Sequence, residues 1–150
     1  MEIRPANPAD LIRVRDIATA AYEKYVARIG RVPAPMQADF EAHLFRHELY
    51  VAGTSGGIQA YLVAFPRTDD YFVENVAVDP AVAGAGIGKK LMKFAEGEAK
   101  RAGRSRILLY TNVLMTENFP FYEGLGYQKT HEITEAGFRR VYFEKVLEQA

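Results

Sequence analysis

The 150-residue chain contains no cysteine. Without cysteine there can be no disulfide, no thiol nucleophile, no cysteine-ligated zinc and no iron–sulfur cluster. The chain has three histidines, and no trio of them forms a plausible metal site. We therefore expect no metal, and thiol chemistry is excluded.

The chain also lacks an excess of charge of either sign and a long apolar run. Basic and acidic residues number 19 each, which argues against binding to nucleic acid or to an acidic membrane surface. No stretch approaches the roughly 18 consecutive apolar residues of a membrane span. The opening MEIRPANPAD is acidic and contains proline, unlike a signal peptide. These features predict a cytoplasmic protein without nucleic-acid or membrane partners.

Repeats, low-complexity tracts and linkers are missing as well. A chain of this length most simply forms one domain, which buries roughly 68–70% of its unfolded surface. The composition is 49% hydrophobic and 25% charged, which is typical of a soluble globular protein. We therefore expect residues 1–150 to form a single domain.

The first third of the chain predicts a strand and two helices. EIRPA is typical of a short strand, and Asn7, Pro8 and Asp10 form a helix start. The helical period runs through Leu11, Val14, Ile17, Ala18, Ala21, Tyr22 and Tyr25. GRVPAPM ends that helix, and a second helix is predicted from about Met36 to His47, with Phe40, Leu44 and Phe45 facing inward.

The rest of the chain alternates between strand and helix patterns. Strands are predicted at ELYVAG, IQAYLVAF, YFVENVAV and RILLYTN, and a closing hairpin at YQKTHEI and RRVYFEKVL. Helices are predicted at IGKKLMKFAEGEAKRAG and around NFPFYEGLG, and Gly103 is a natural stop for the first. This order indicates an α/β fold, with helices flanking a sheet.

The segment VDPAVAGAGIGKKLMKF places Gly84, Gly86 and Gly88 between a strand and a helix. Unpaired N–H groups at such a helix start favour an anion, but a tight turn without a ligand explains the glycines equally well. The segment is not a P-loop, because Ala83 stands at its first glycine position and no Ser or Thr follows Lys89. It is not a dinucleotide fingerprint either, because the third glycine would be residue 89.

The glycine segment resembles the acyl-CoA-binding motif [QR]-x-x-G-x-[GA] of the GNAT superfamily of N-acyltransferases. The motif falls on residues 83–88, and Ala83 stands where the family normally has Gln or Arg. The later segment RILLYTNVLMTENFPFYEGLGYQKT resembles the family's strand, loop and short helix that ends in a tyrosine. The resemblance covers nearly the whole chain, in the order that the family has.

The resemblance implies a fold and a binding site for acetyl-CoA. The expected fold is a mixed, mostly antiparallel sheet of about seven strands, splayed in the middle and flanked by about four helices. The pantetheine arm would pair with the backbone of one central strand, and the pyrophosphate would lie on the glycine turn. The implied cofactor-binding residues are Val76, Ala77, Val78, Ala83, Gly84, Ala85, Gly86, Ile87, Gly88, Lys89, Asn112 and Asn118. For Asn118, a helix cap is an equal alternative.

The same resemblance implies direct acetyl transfer to an amine. Tyr122 aligns with the family's general acid, and a phenol suits this role because it is protonated at neutral pH. Glu74, an acid within an apolar strand, is the candidate general base. Strand alternation places it on the face of Phe72 and Val76. Alternatives for the base are Tyr110, Asn75 and His43.

The acceptor is expected to be a small-molecule amine. Its predicted pocket lies between the first two helices and is lined by Tyr22, Tyr25, Met36 and Phe40, with Tyr110 also in the cleft. A catalytically silent CoA-binding or sensing module and a protein-directed acetyltransferase are the alternatives. The oligomeric state is open, with a homodimer as the candidate assembly.

Overall fold

The structure, a computed structural model, describes residues 1–148. Two compact units make up the chain. The first unit contains residues 1–64 and 75–94, and the second contains residues 65–74 and the chain from Ala95 onward. The boundaries cut through two strands and one helix, so each of these three elements contributes residues to both units.

The first unit begins with strand β1 (Glu2–Pro5) and a cluster of helices. The predicted helix start is confirmed as a capping box. The Asn7 side chain accepts from Ala9 N, while the Asp10 carboxylate accepts from Asn7 N. The helices are a 3-10 turn at Pro8–Asp10, α1 (Leu11–Tyr22), α2 (Tyr25–Ile29), a 3-10 turn at Ala34–Gln37 and α3 (Phe40–Phe45).

Two helix predictions in this region are wrong in part. Tyr25 begins a separate helix, α2, and does not extend α1. The helix predicted from Met36 to His47 is confined to α3, because Ala38 is extended and Asp39 caps the new helix by accepting from Ala42 N. Phe45, expected inward, is 80% exposed, since it lies on the last turn of this short helix.

Strands β2 (Leu49–Thr54) and β3 (Gly57–Pro66) follow as predicted and are joined by a tight turn. β1, β2 and β3 pair antiparallel in sequence order. The residues of β3 from Ala60 to Val63 are completely buried, which explains why the apolar run of this strand is continuous rather than alternating. This strand pair forms the centre of the first unit's core.

The next strand and helix are shared by the two units. Strand β4 (Tyr71–Val78) passes from the second unit to the first after Glu74, and helix α4 (Ile87–Arg101) passes back after Phe94. An apolar stripe on α4 is predicted at Ile87, Leu91, Ala95, Ala99 and Ala102; the first four are buried, whereas Ala102 follows the end of the helix and is half-buried. Gly103 has a φ of 74° and ends the helix, as expected for a left-handed C-terminal residue.

The second unit contains strand β5 (Arg106–Asn112), helix α5 (Asn118–Gly124) and the hairpin of β6 (Gln128–Glu135) and β7 (Phe138–Val146). β5 pairs in parallel with Tyr71–Val73 of β4 and antiparallel with β7. The hairpin turns at Ala136 and Gly137, whose φ values are both positive, as in the turns that hairpins favour.

The sheet order is β1-β2-β3-β4-β5-β7-β6. This mixed, mostly antiparallel arrangement of seven strands confirms the predicted fold class. The described residues contain five α-helices where about four were expected, because the segment before β2 divides into shorter pieces. None of these helices is both long and apolar enough to cross a membrane.

Candidate active site

The glycine turn adopts a conformation that requires glycine. Gly84 and Gly86 have φ values of 89° and 80°, in the left-handed region that other residues enter at a cost of about 1–2 kcal/mol. A Cβ added at either position would meet no atom within 4 Å. The glycines are therefore needed for the backbone path, and the space beside the turn is open.

The amides of this turn have no acceptor. The backbone N–H groups from Gly84 to Lys89 donate to no group within residues 1–148, and the first helical bond is from Lys90 N to Gly86 O at 3.2 Å. Residues 83–86 and both lysines are exposed. A row of unpaired donors at the start of a 15-residue helix is an anion site in chemical terms.

The strand side of the turn is anchored by Asp79. Its carboxylate accepts from Ala81 N at 3.0 Å and from the Arg13 guanidinium at 2.6 Å. These two contacts, the amide first, hold the pKa of Asp79 below its ordinary value. Asp79 N in turn donates to Gln59 O at 2.8 Å. The turn thus starts from a residue that is tied to both α1 and β3.

The second half of β4 contains the residues predicted to pair with pantetheine. Ala77 is buried, whereas Val76 and Val78 are half-buried. The Val76 carbonyl accepts a hydrogen bond of 2.8 Å from the Tyr22 hydroxyl. That contact fixes the end of α1 against this strand within the first unit.

Asn75, which precedes Val76 in β4, is the centre of a buried hydrogen-bond network. Its Oδ1 accepts from Tyr61 at 2.9 Å and from Tyr22 at 3.2 Å, and its Nδ2 donates to Pro35 O at 3.3 Å. Burial raises the pKa of the Tyr61 hydroxyl far above its ordinary value, so Tyr61 remains a donor. Asn75 is 4% exposed, and its polar atoms are satisfied by the protein itself.

The predicted acceptor wall lies in the first unit. Tyr22, Tyr25 and Phe40 are buried, and Met36 is half-buried. Phe40 packs edge-on against Tyr61 with ring centroids 5.2 Å apart. Three of the four side chains therefore contribute to the unit's core in this structure, and their role towards an acceptor stays a prediction.

Tyr122 lies on α5, in the second unit, and is 6% exposed. Its ring packs against Phe143 of β7 at 5.9 Å and against Tyr127 at 6.1 Å, while its carbonyl accepts from Tyr127 N. The Tyr127 hydroxyl donates to Glu96 at 3.0 Å. The aromatic cluster holds the Tyr122 ring in one position on this face of the sheet.

The two predicted asparagines shape the loop between β5 and α5. The Asn112 side chain accepts from Leu114 N at 2.9 Å. Asn118 is the first residue of α5, and its Nδ2 donates to Thr111 Oγ1 at 3.0 Å. The alternative that Asn118 caps this helix is wrong, because Glu117 occupies the cap position.

Glu74 lies in β4, on the face of the sheet opposite to the Tyr122 ring. Buried Phe72 stacks on Tyr110 at 5.7 Å, and the expected alternation places Glu74 on this face, where it is half-buried. Burial raises the pKa of Tyr110, the Arg140 charge opposes this shift, and the nearby Glu74 charge adds to it. Glu74 and Tyr110, the predicted base and its alternative, are therefore electrostatic neighbours within the second unit.

Sequence reasoning missed Arg140 and Tyr142, which complete this face. Arg140 lies over the Tyr110 ring with its guanidinium carbon 4.3 Å from the ring centroid, and Tyr142 is paired with Tyr110 across β5 and β7. The alternation of RRVYFEKVL places Arg140 and Tyr142 on one face. Their proximity to Tyr110 depends on the pairing of β5 with β7, for which the sequence has no local signal.

Two of the histidines, His43 and His131, each contact another side chain. His43, the third alternative base, is buried with its Nδ1 2.8 Å from Glu48 Oε1. His131 stacks on the Tyr142 ring at 4.7 Å. Across residues 1–148, no group of three or more His, Asp and Glu side chains is arranged to hold a metal ion.

The predicted site residues divide between the two units. Those for the cofactor's pantetheine and pyrophosphate, together with the acceptor wall, are in the first unit, at residues 22, 25, 36, 40, 76–78 and 83–89. Tyr122, Glu74, Tyr110, Asn112 and Asn118 are in the second.

A family model described as an acetyltransferase (GNAT) domain matches residues 45–129, which is more than half of the chain. That range includes the glycine turn, Glu74 and Tyr122. A search of curated protein sequences gives no significant match.

Solved structures resemble the chain over nearly its full length. yncA from Salmonella typhimurium, solved with its cofactor acetyl-CoA, is 22% identical, with a TM-score of 0.72 and coverage of 100% of this chain and 95% of that one. The PaiA N-acetyltransferase from Thermoplasma acidophilum, in complex with coenzyme A, is 18% identical, with a TM-score of 0.81 and coverages of 97% and 98%. Ard1 from Thermoplasma volcanium is 16% identical, with a TM-score of 0.77 and coverages of 99% and 98%. At these identities the likeness shows the fold.

Proposed function

The chain belongs to the GNAT family of acetyltransferases, and we propose that it moves an acetyl group from acetyl-CoA directly to a primary amine of a small molecule. The observation that carries the proposal is the row of acceptor-free amides from Gly84 to Lys89. An anionic pyrophosphate is the chemical complement of these donors, since backbone N–H groups and the helix dipole both favour negative charge there. Lys89 and Lys90, both exposed, add positive charge where the family's Gln or Arg is replaced by Ala83.

Within this proposal, Glu74 and Tyr122 transfer the protons. Glu74 lies on the opposite face of the strands from the Tyr122 ring. It therefore accepts the proton of the amine through a water, as the amine nitrogen attacks the thioester carbon. Tyr122 donates its phenolic proton to the sulfur as the carbon–sulfur bond breaks. The tight packing of Tyr122 against Phe143 and Tyr127 supports this role, because a positioned acid loses little entropy in the reaction.

Two other functions remain as competitors. A silent CoA-binding module is favoured by Ala83, which removes a polar side chain from the motif. A protein-directed acetyltransferase would need an open groove for the acceptor, whereas Tyr22, Tyr25 and Phe40 are buried. The small-molecule enzyme is the proposal because Tyr122 and Glu74 are both present and the predicted acceptor wall is apolar.

Thiol release from acetyl-CoA, measured against a panel of primary amines, tests the activity and the acid together. We expect Tyr122→Phe to lower kcat by about 100-fold or more, in the range of lost general acid catalysis, with little change in CoA affinity. Tyr127→Phe is the matched control: it removes a buried phenol from the same cluster and should lower stability by about 1 kcal/mol while kcat is kept. Release that no amine raises above background, with CoA still bound, would support the silent module.

A pair of glycine variants tests the glycine turn. Gly86→Val should reduce CoA affinity by at least about tenfold, because its side chain occupies the space beside the donors. Gly30→Val is the control, since Gly30 also has a left-handed φ of 85° and open space around it. Both variants should lose similar stability in thermal unfolding. Equal CoA affinity in the two, measured by calorimetry, would contradict the assignment of the turn.

A further inference from the structure

Arg140 is a largely buried cation without a hydrogen bond. Its side chain is only 13% exposed, yet its guanidinium donates to no acceptor among the described residues. The nearest carboxylate oxygen is Glu135 Oε2, at 3.8 Å from Nη1, which is too long for a hydrogen bond. A guanidinium has five N–H donors, so those of Arg140 are available to an acceptor that approaches from solvent.

Aromatic rings hold this guanidinium in place. It lies over the Tyr110 ring at 4.3 Å and 5.8 Å from the Phe138 ring. Glu135, the only acid that forms an ion pair with Arg140 within residues 1–148, accepts a short hydrogen bond from the Tyr142 hydroxyl. The cation is thus positioned by stacking, while its donor edges are left for another acceptor.

The Tyr110 hydroxyl is a second donor in the same position. It too has no hydrogen-bond partner in the described chain. Since burial raises its pKa, the phenol is protonated at neutral pH and can only gain by donating to an oxygen. Every buried side-chain polar atom of residues 1–148 has a partner, so the donors of Arg140 and Tyr110 that lack one are reachable from solvent.

The charges around Tyr110 select the kind of group that can bind. Arg140 contributes one positive charge, and Glu74 and Glu135 contribute negative charge close enough to raise the pKa of Tyr110. Arg67, another cation on this face, lies over Phe72 but is bound at 2.6 and 2.9 Å to Asp70. A phosphate dianion beside Arg140 would therefore also lie close to carboxylates. A carboxylate that belongs to a zwitterion adds no net charge.

We propose that the acceptor is an amino-acid-like amine, whose carboxylate is bound by Arg140, with Tyr110 as a second donor, while its amino group is presented to Glu74. A guanidinium and a carboxylate form two parallel hydrogen bonds, which Arg140 in its present position does not make within the chain. The inference rests on the proposed acetyl transfer. It names the substrate class, and it assigns Arg140 as the residue that determines specificity.

Matched amines test the inference. L-leucine is compared with 3-methylbutylamine and L-leucinamide, and L-phenylalanine with 2-phenylethylamine and L-phenylalaninamide. For the wild type we expect kcat/KM to be at least about tenfold higher for the carboxylates, the factor of a charged hydrogen bond. Arg140→Met should reduce this preference to about one through a higher KM, with kcat/KM for the uncharged amines unchanged. Arg140→Lys keeps the positive charge but loses the planar pair of N–H donors, so it should retain part of the preference.

Arg139→Met is the control, because Arg139 is the neighbouring arginine, is 69% exposed and points to the opposite side of β7. It should keep the full preference. The inference is overturned if the wild type acetylates both members of each pair equally well, or if Arg139→Met and Arg140→Met lose the preference alike; the proposed acetyl transfer survives both results. If no amine is acetylated, the proposed function fails, and calorimetry of L-leucine against CoA-saturated protein decides the inference. L-leucine binding to the wild type that is lost in Arg140→Met supports the inference. Equal binding to the wild type and to Arg140→Met, or no binding to either, refutes it.

Discussion

Asn75 in the first unit and Arg140 in the second are both polar side chains with little exposure to solvent. Their surroundings differ in the hydrogen bonds that they offer. The Asn75 amide is engaged on both of its polar atoms, by Tyr61, Tyr22 and the Pro35 carbonyl. The Arg140 guanidinium, 13% exposed, stacks on Tyr110 and has no hydrogen bond to any described residue. Asn75 is buried and its polar atoms are paired within the protein, whereas Arg140 is partly exposed and donates no hydrogen bond to the described residues.

The difference separates a structural polar group from a binding one. A buried polar group whose hydrogen bonds are all made within the protein contributes to the specificity of the fold. It loses no hydrogen bond when a ligand leaves. A buried group that the protein positions but does not satisfy has its best acceptor outside the chain. On this physical basis we assign Asn75 to the stability of the first unit and Arg140 to substrate recognition in the second. From the sequence, only Asn75 was a candidate, as an alternative general base.

The largest effect on stability is expected for Asn75→Leu. The substitution keeps the number and branching of the side-chain heavy atoms but removes the acceptor of the fully buried Tyr61 hydroxyl, which should lower the free energy of unfolding by about 2–3 kcal/mol. Chemical denaturation of the purified protein measures it. Adding Tyr61→Phe removes the orphaned hydroxyl as well, so the double variant should recover most of the loss. A double variant that is less stable than Asn75→Leu would mean that Tyr61 has another essential role.

The smallest effect is expected for Arg140→Met. Removing the guanidinium relieves its desolvation and loses only the stacking on Tyr110 and a long ion pair with half-exposed Glu135. These contributions nearly cancel, so the free energy of unfolding should change by less than about 1 kcal/mol in the same denaturation experiment. A loss as large as that of Asn75→Leu would show that Arg140 is structural, and would end the contrast between the two residues.

Much of the fold could be predicted because local signals agreed with each other. The segments YFVENVAV and RILLYTN are strands over the same residues as predicted. The capping box at Asn7 and the stop at Gly103 are found as expected. The prediction failed at the start of the second helix, because Met36 lies in a 3-10 turn and the extended residue Ala38 separates this turn from the short α3.

Of the two candidate regions, one in each unit, the glycine turn was predictable from the sequence and the aromatic face was not. The glycine turn is local, so the spacing of Gly84, Gly86 and Gly88 predicted both its geometry and its place before a helix. The aromatic face of Tyr110, Arg140 and Tyr142 is built from strands that are 30 residues apart in sequence and adjacent in the sheet. No period within either strand encodes that adjacency.

The sequence by itself determined the class of fold, the glycine turn before α4 and the family, because each depends on residues that interact within a few positions of the chain. Tertiary structure alone decided which polar groups are satisfied. Asn75 and Arg140 both stand in strands of mixed polarity, and only the packing of Tyr61 and Tyr22 around one, and of Tyr110 around the other, distinguishes them. Hydrogen bonding within a core is a property of long-range contacts, whereas a turn is a property of its own backbone.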